Sequence, residues 1–226
     1  ASAVVAEKLP ESISDRITYV TVKDSSKALG IIAANFYGNP SEKLKLVGVT
    51  GTNGKTTVAT LLFKLFTDLG YRCGMLSTVV NKIVDKDIPS THTTPDPIQI
   101  NELLVKMLEE KCTHCFMEVS SHSVVQGRIE GLHFTGALFT NITHDHLDYH
   151  HTFESYIRAK KGFFDGLSAD AFALVNSDDK RGMVMLQNCK AKKHTFAIKK
   201  IADFKAKVIT NSIEGLELEI GERSVW

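Results

Sequence analysis

One segment, residues 44–70, constrains the fold of this chain more than any other. The apolar run Leu44–Thr50 predicts a buried strand, a loop with two glycines follows, and Thr57–Gly70 has the apolar spacing of a helix. A strand that leads through a glycine loop directly into a helix is typical of α/β domains, in which helices cover a parallel sheet. We therefore expect the chain to fold around such a sheet.

The rest of the chain continues this alternation of strands and helices. Further strands are predicted at Arg72–Thr78, His114–Val119, His133–Asn141, Ala171–Asn176 and His194–Ile198. Longer helices are predicted at Asp96–Lys111, Thr152–Leu167 and Asp178–Asn188, with a short one between residues 119 and 133. This order of elements predicts a doubly wound, mainly parallel sheet.

The C-terminal segment has a different pattern. Three β-prone runs, Val208–Ser212, Leu216–Ile220 and Arg223–Trp226, predict antiparallel strands that turn at Gly215 and at Gly221-Glu222.

Residues 1–40 are expected to be the end of a small N-terminal α/β domain, and residues 41–226 to form the large domain. Two short β-prone runs, Ala3–Ala6 and Thr18–Val22, precede a helix over residues 25–37. This piece is too small to be a complete sheet domain. The apolar stripe of its helix is predicted to consist of Ala28, Leu29, Ile32, Ala33 and Phe36.

The overall charge of the chain argues against two classes of partner. The formal net charge is only +1, so no strong global field would attract nucleic acid or an anionic membrane. No apolar run approaches the roughly 20 residues that a membrane-spanning helix needs. We therefore expect no nucleic-acid partner, no membrane partner and a cytoplasmic location.

The cysteines raise a separate possibility, because Cys112-Thr-His-Cys115 has the spacing of a redox motif or a metal knuckle. No second pair of cysteines follows at a spacing that would complete a zinc site. We expect ordinary reduced thiols in the core at all four positions, Cys73, Cys112, Cys115 and Cys189.

The loop after the first long strand carries the clearest chemical signal. The segment from Val49 onwards reads VTGTNGKTT, and backbone N–H groups at such a strand–loop–helix junction can converge on phosphate oxygens. Lys55 would reach the phosphates and the Thr56 hydroxyl would ligate Mg²⁺. The generic phosphate-loop pattern expects a glycine where Val49 stands, and the nearest glycine is Gly48.

Acidic and histidine residues follow two other predicted strands. Glu118 closes one strand, where a carboxylate suits Mg²⁺ and is also compatible with a capping or surface role. The next strand leads into residues 141–151, which contain four histidines and two aspartates: His144, His146, His150, His151, Asp145 and Asp148. These residues fit a zinc site, a solvated polar loop or a Mg²⁺–nucleotide site, and the neighbouring phosphate loop favours the last.

These motifs together resemble the Mur ligases and their relative folylpolyglutamate synthetase, which activate a carboxylate with ATP and join it to an amine. The resemblance rests on TGTNGKTT and on DHLDYH at residues 145–150. It implies ATP contacts from Gly51, Thr52, Asn53, Gly54, Lys55, Thr56, Thr57 and Asn176. It also implies two Mg²⁺ sites held by Thr56, Glu118, His146 and a CO₂-derived carbamate on Lys160, with Lys161 as the neighbouring competitor for that modification.

Two further motifs are similar to the Mur ligases that add the third amino acid of the peptidoglycan precursor. They are TTPDP at residues 93–97 and EVSSHSVVQGR at residues 118–128. The resemblance implies that UDP-MurNAc-L-Ala-D-Glu contacts Thr93, Thr94, Ser120, Gln126 and Arg128. It implies addition of meso-diaminopimelate or L-lysine by a monomer, with Lys55, His146 and Lys160 as the catalytic residues.

The resemblance covers only part of the Mur ligase architecture. A C-terminal domain that recognises the amino acid is expected to be missing, so we expect that the 226-residue chain alone does not complete ligation. Other interpretations remain open: another amide ligase such as folylpolyglutamate or cyanophycin synthetase, a non-catalytic nucleotide-binding module, or a zinc protein built on the histidine loop.

Overall fold

The computed structural model describes residues 2–143, 145, 147–213 and 215–222. A small parallel pair, β1 (Ala3–Ala6) and β2 (Thr18–Thr21), begins the chain. Within the described residues ten more strands follow: β3 (Lys45–Thr50), β4 (Cys73–Leu76), β5 (Val80–Ile83), β6 (Lys86–Pro89), β7 (His114–Glu118), β8 (Gly136–Phe139), β9 (Phe172–Asn176), β10 (Lys192–Ala197), β11 (Phe204–Ser212) and β12 (Gly215–Glu222).

The helices alternate with these strands as the sequence predicts. In chain order they are α1 (Ser25–Phe36), α2 (Lys55–Asp68), α3 (Pro97–Glu109), α4 (Ser121–Val125), α5 (Leu147–His150), α6 (Phe153–Asp165) and α7 (Gly182–Met185), with a 3₁₀ turn at Pro40–Lys43. Side chains cap three of the four longer ones: Asp24 is the N-cap of α1, Asp96 that of α3 and Thr152 that of α6. None of the described helices combines the length and the apolarity that a membrane crossing requires.

The ten strands form one sheet in the order β12-β11-β10-β9-β8-β3-β7-β4-β5-β6. Every pair from β11 across to β4 is parallel, and β12, β5 and β6 pair antiparallel at the two sides. β3 lies between β7 and β8, so the chain crosses over β3 when it passes from one to the other. The carboxyl ends of these three strands meet where the sheet reverses its strand order, which is where α/β folds bind ligands.

Both faces of the sheet are covered by apolar side chains, which confirms the doubly wound arrangement. On β3, Leu46 packs on the side of α3 and α6, whereas Val47 and Val49 pack on the side of α2. β7 alternates in the same way, with Phe116 facing α2. Because successive side chains of a strand point to opposite faces, two layers of helix are needed to bury a strand that is apolar throughout.

All four cysteines lie in the core and are free thiols. Cys73, Cys112 and Cys115 come from β4, the turn before β7 and β7 itself. Burial raises the pKa of each of these three thiols, most of all that of Cys115. The prediction of ordinary core thiols agrees with this placement, because a buried thiol with a raised pKa is a weak nucleophile.

Two local predictions were wrong, the first of them because of local hydrogen bonding. The helix predicted at Asp178–Asn188 is only α7, because the Asp178 carboxylate accepts the N–H groups of Ile198, Lys199 and Lys200 and Asp179 accepts that of Arg181. Such side-chain bonds compete with helix formation. The turn predicted at Gly221-Glu222 lies within β12, and the strand predicted at Arg223–Trp226 falls outside the described residues.

The sequence also missed the hairpin of β5 and β6, and it misjudged the buried side of α1. The hairpin strands have only four residues each and turn without glycine. In α1 the buried residues are Gly30, Ala33 and Ala34, whereas Leu29, Ile32 and Phe36 of the predicted stripe are exposed. Gly30 lies there because the backbone of the turn after α4 approaches it too closely for a side chain. The division at residue 40 stays a prediction.

The approach of α6 to the sheet gives a prediction about stability. A Cβ on Gly48 would lie 2.4 Å from the ring of Phe163, so we expect Gly48→Ala to lower the free energy of unfolding by about 1–3 kcal/mol. Urea titration followed by circular dichroism measures this. A matched control is Gly162→Ala on the exposed side of α6, where the nearest atom would be 3.4 Å away. Gly162→Ala should raise the free energy of unfolding by up to about 1 kcal/mol, because alanine favours a helix more than glycine does. Equal changes in the two variants would contradict the close packing of Phe163 on Gly48.

Candidate functional site

The loop between β3 and α2 has the backbone shape that the sequence predicts for phosphate binding. Gly51 and Gly54 have positive φ values of 151° and 85°. A Cβ on Gly51 would lie 1.9 Å from Thr140 Oγ1, so only glycine fits there. Gly54 is the N-cap of α2 and provides no side-chain cap, which leaves the first N–H groups of the helix available to an anion.

The end of β8 holds this loop in place. Thr52 N–H donates to the carbonyl of Asn141 at 2.8 Å. Asn53 and Asn141 bond in both directions: Asn53 N–H donates to Asn141 Oδ1 at 3.0 Å, and Asn141 Nδ2 donates to Asn53 O at 3.1 Å. Thr140 Oγ1 also donates to Asn53 O, at 2.7 Å. The loop conformation is therefore fixed by a neighbouring strand and needs little reorganisation to bind a ligand.

Lys55 lies at the first position of α2 and turns back over the loop. Its Nζ donates to Gly51 O at 3.1 Å and to Thr52 O at 2.9 Å. Burial lowers the pKa of Lys55, and the nearby carboxylates of Glu118 and Asp145 partly oppose that shift. A cation held this way can exchange two carbonyl partners for phosphate oxygens without leaving the loop.

Glu118 at the end of β7 is fully buried, with its carboxylate directed at the same loop. The Thr56 hydroxyl donates to Glu118 Oε1 at 2.8 Å. Thr78, after β4, donates its N–H to Oε1 at 2.8 Å and its hydroxyl to Oε2 at 3.2 Å. A hydroxyl and a carboxylate in contact beside a phosphate loop are hard oxygen donors that fit a Mg²⁺ ion.

Lys160 lies on the buried side of α6 and contacts the phosphate loop from there. It is 1% exposed, its Nζ donates to Gly51 O at 2.8 Å, and it lies 4.6 Å from the centre of the Tyr156 ring. Burial, reinforced by the charge of Lys55, lowers the pKa of Lys160 to about 7. Lys161 instead pairs with Asp165, one turn further along the helix. The structure thus brings Lys160, and not Lys161, to the site.

The histidine loop can be described only in part. His146, predicted to hold a metal, lies outside the described residues, as does His144. His150 is buried, and its Nε2 lies 2.9 Å from Ser121 Oγ at the start of α4. In the part of the chain that the structure describes, no group of three or more histidine, cysteine, aspartate or glutamate side chains is arranged to hold a metal.

A cavity of about 320 Å³ opens beside the phosphate loop, and most of the residues predicted to bind UDP-MurNAc-L-Ala-D-Glu line it. Its lining consists of Lys55, His92, Thr93, Thr94, Ser120, His122 and Arg128. The guanidinium of Arg128 is fixed by Thr94 O at 2.7 Å and by Gln126 Oε1 at 2.9 Å. Gln126 is placed behind Arg128 as its support, and it also donates to the Tyr149 hydroxyl at 3.3 Å.

Three residues of this region were not singled out from the sequence. His92 and His122 line the cavity, and Thr78 bonds Glu118. Thr78 could have been found, because it follows a strand of the parallel sheet just as Glu118 does. The two histidines gave no periodic signal, and only their placement among the predicted substrate residues pointed to them.

The other predicted nucleotide residues lie near the loop without direct contact to Lys55. Thr57 is exposed in the first turn of α2. Asn176 at the end of β9 donates to Thr140 O at 2.9 Å, and its Oδ1 accepts the N–H of Asp178. These bonds connect the ends of β8 and β9, and the contact of Asn176 with ATP stays a prediction.

Comparisons with known proteins agree with this architecture. The profile of the Mur ligase middle domain matches residues 49–224. The chain is 61% identical over 228 residues to the UDP-N-acetylmuramoyl-L-alanyl-D-glutamate–2,6-diaminopimelate ligase of Cytophaga hutchinsonii, which covers 100% of this chain and 47% of that protein. It is 55% identical to the protein of the same name from Phocaeicola vulgatus, with 100% and 46% covered. The chain thus spans about half the length of the curated relatives that it matches.

Solved structures lead to the same family. The structure of a UDP-N-acetylmuramoyl-L-alanyl-D-glutamate–2,6-diaminopimelate ligase superposes with a TM-score of 0.82 at 27% identity, over 96% of this chain and 45% of that one. A Mycobacterium tuberculosis folylpolyglutamate synthase complexed with ADP has a TM-score of 0.67 at 16% identity, over 87% and 51%, and therefore shares the fold. By the span and strength of these matches, the chain belongs to the Mur ligase family and contains its middle domain.

Proposed function

We propose that this chain is the ATP-binding part of a ligase that adds a diamino acid to the D-Glu γ-carboxylate of UDP-MurNAc-L-Ala-D-Glu during peptidoglycan synthesis. The observation that carries the proposal is the cavity in which Lys55 of the phosphate loop lies beside Thr93, Thr94, Ser120 and Arg128. One chamber would thus bring the γ-phosphate and the acceptor carboxylate together. The named activity of the relatives supports the same reaction, with diaminopimelate as the amine.

The chemical problem of this reaction is to bring two anions into contact. The carboxylate attacks the γ-phosphorus of ATP, ADP leaves, and an acyl phosphate forms. The amine then attacks the acyl carbon, the C–O bond to phosphate breaks, and the amine loses a proton. Such phosphoryl transfer depends on positioning and charge neutralisation. Lys55 and the N–H groups at the start of α2 would hold the phosphates, and Arg128 would hold an acidic group of the precursor.

Mg²⁺ would be held by Thr56 and Glu118, with His146 and a carbamate on Lys160 as further ligands. When bound, the metal neutralises phosphate charge and draws the reacting oxygens together. The contact between Thr56 and Glu118 prepares this position, and Thr78 keeps the carboxylate oriented. We further propose a cytoplasmic location, where ATP and the nucleotide precursor are available, and a monomer.

The surroundings of Lys160 support the proposed carbamate. Carbon dioxide reacts with a neutral amine, and a pKa of about 7 leaves a large share of Lys160 uncharged at neutral pH. The neutral amine adds to the carbon of CO₂, the new N–C bond forms with release of one proton, and the product is an anion with two oxygen donors. Lys161 lacks these conditions, since it is paired with Asp165.

The proposed reaction is tested by ADP release from Mg²⁺-ATP and UDP-MurNAc-L-Ala-D-Glu, with the coding sequence extended to its full reading frame. Meso-diaminopimelate and L-lysine are offered in parallel, with bicarbonate present. We expect turnover that requires the dipeptide nucleotide and meso-diaminopimelate. Turnover with a folate and glutamate alone would identify another ligase of this fold, and nucleotide binding without any turnover would identify a binding module.

Lys55→Met should lower this turnover by about 10²–10³-fold, because a cation on the transferred phosphoryl group is lost. Lys64→Met, on the exposed side of the same helix, is the matched control and should retain full activity. The measurement is kcat/KM for ATP. Similar losses in both variants would contradict the role of Lys55 in the site.

Glu118→Gln keeps the shape of the side chain and removes its charge. We expect the Mg²⁺ concentration for half-maximal activity to rise by about tenfold or more, because a carboxylate ligand is lost. Glu109→Gln in α3 is exposed and controls for the loss of one acidic group. An unchanged Mg²⁺ titration in Glu118→Gln would remove Glu118 from the metal site.

The carbamate is tested by ¹³C NMR in ¹³C-bicarbonate. A carbamate signal should be present in the unsubstituted protein and in Lys161→Met, and absent in Lys160→Met. Because only the neutral amine reacts, carbamate formation should decline as the pH falls below about 7 and stay high above it. A signal that persists in Lys160→Met and disappears in Lys161→Met would place the carbamate on Lys161 and contradict the proposal.

A further inference from the structure

Tyr156 of α6 is completely buried beside the site, and the proposed reaction leaves it without a role. Its hydroxyl lies 3.1 Å from Thr52 Oγ1 in the phosphate loop. Burial raises the pKa of Tyr156, so the hydroxyl keeps its proton. A tyrosine hydroxyl in a core is expected to have a hydrogen-bond partner, and here that partner is a residue of the nucleotide site.

The Thr52 hydroxyl joins α6 to the segment after β8. A threonine hydroxyl donates one hydrogen bond and accepts up to two. Thr52 Oγ1 accepts the N–H of Thr143 at 3.0 Å and lies 3.3 Å from Thr143 O, to which it can donate. It also shares a hydrogen bond with the Tyr156 hydroxyl, in which either oxygen can be the donor. In this way α6 stabilises the loop residue that lies between Gly51 and Asn53.

The ring of Tyr156 contacts the second functional group on the same helix. Lys160 lies one turn further along α6 and places its Nζ 4.6 Å from the centre of the ring. Residues four apart on a helix lie on the same side, so the ring limits the positions that the lysine side chain can take. Lys160 in turn donates to Gly51 O. Two side chains of α6 thus bond two consecutive residues of the phosphate loop.

The Tyr156 ring also packs against His150, which connects it to the cavity side of the site. The ring centroids of Tyr156 and His150 are 5.2 Å apart, and His150 bonds the Ser121 hydroxyl. Ser121 begins α4 and follows Ser120, which lines the cavity. Tyr156 therefore lies between the loop predicted to bind ATP and α4, which directly follows the predicted precursor residue Ser120.

We infer that Tyr156 is a positioning residue of the ligase, which sets the phosphate loop through its hydroxyl and the Lys160 amine through its ring. The inference rests on the proposed function, because it requires that the loop binds ATP and that Lys160 is modified. The two parts of the side chain have separable effects. Loss of the hydroxyl acts on nucleotide binding, and loss of the ring acts on Lys160.

The experiment compares Tyr156→Phe and Tyr156→Leu with the unsubstituted protein. Isothermal titration calorimetry measures the Kd of Mg²⁺-ADP, and ¹³C NMR in labelled bicarbonate measures the carbamate. We expect Tyr156→Phe to raise the Kd about tenfold and to keep the carbamate signal, since it loses one buried hydrogen bond and retains the ring. Tyr156→Leu should weaken both. In the steady state, Tyr156→Phe should raise KM for ATP more than it lowers kcat.

A control and a second variant separate positioning from simple stability. Tyr37→Phe removes a tyrosine hydroxyl that bonds Glu102 on the surface at 2.8 Å, and it should bind ADP as the unsubstituted protein does. In a Thr52→Val background the partner hydroxyl is already gone, so adding Tyr156→Phe should change the Kd much less than it does alone.

The outcomes are distinct. Unchanged ADP affinity in Tyr156→Phe, additive effects with Thr52→Val, or a loss that only follows the unfolded fraction in a thermal melt would each overturn the inference and leave the proposed function intact. Failure of the unsubstituted protein to bind ADP would instead overturn the proposed ATP site and this inference with it.

Discussion

A lysine amine buried beneath the phosphate loop is the constraint on which the site depends. Lys160 is nearly inaccessible to solvent and shares the carbonyl of Gly51 with Lys55. Burial makes the Lys160 amine costly to charge, and the repulsion of the nearby Lys55 ammonium group adds to that cost. The pKa of Lys160 falls to about 7 as a result. A position that disfavours a cation so strongly is well suited to a group that is neutral or becomes anionic.

Glu118 lies between the phosphate loop and the cavity. Its carboxylate accepts the Thr56 hydroxyl on the phosphate-loop side. Its main-chain carbonyl accepts the Thr94 hydroxyl at 2.8 Å on the cavity side. One residue at the end of β7 therefore contacts elements of both predicted binding regions. Because β7 is buried on both faces, neither contact can shift without disturbing the sheet.

The sequence predicted the parts of this molecule that depend on local pattern. The apolar strands, the glycine loop and the capped helices follow from periodicity and from residues such as Asp96 and Thr152, and the structure confirms the parallel sheet. Because parallel strands end together, Lys55 and Glu118 were expected at one edge, where they lie. The choice of Lys160 over Lys161 rested on resemblance, and the structure adds its physical basis: Lys160 follows Tyr156 by four residues on the buried side of α6.

What the sequence did not predict depends on tertiary contacts. The exposed stripe of α1 follows from the close approach of a turn to Gly30, which periodicity does not report. The same holds for His92, in the segment after β6, and for His122, in α4, which line one cavity only through tertiary packing. The position of Tyr156 against Thr52 joins residues 104 apart in the chain, and a separation of that size leaves no local signal.

Gly48 shows how a residue outside the site can fix its dimensions. Its missing side chain lets the ring of Phe163 rest directly on β3, and Phe163 lies less than one turn beyond Lys160 on α6. The distance between α6 and β3 at this point therefore depends on Gly48 having only a hydrogen atom as its side chain. A methyl group there would act as a wedge that lifts the lysine from Gly51 while every residue of the site remained unchanged. The distance between the Lys160 amine and Gly51 thus depends on a residue of β3 that lies two positions before the end of the strand.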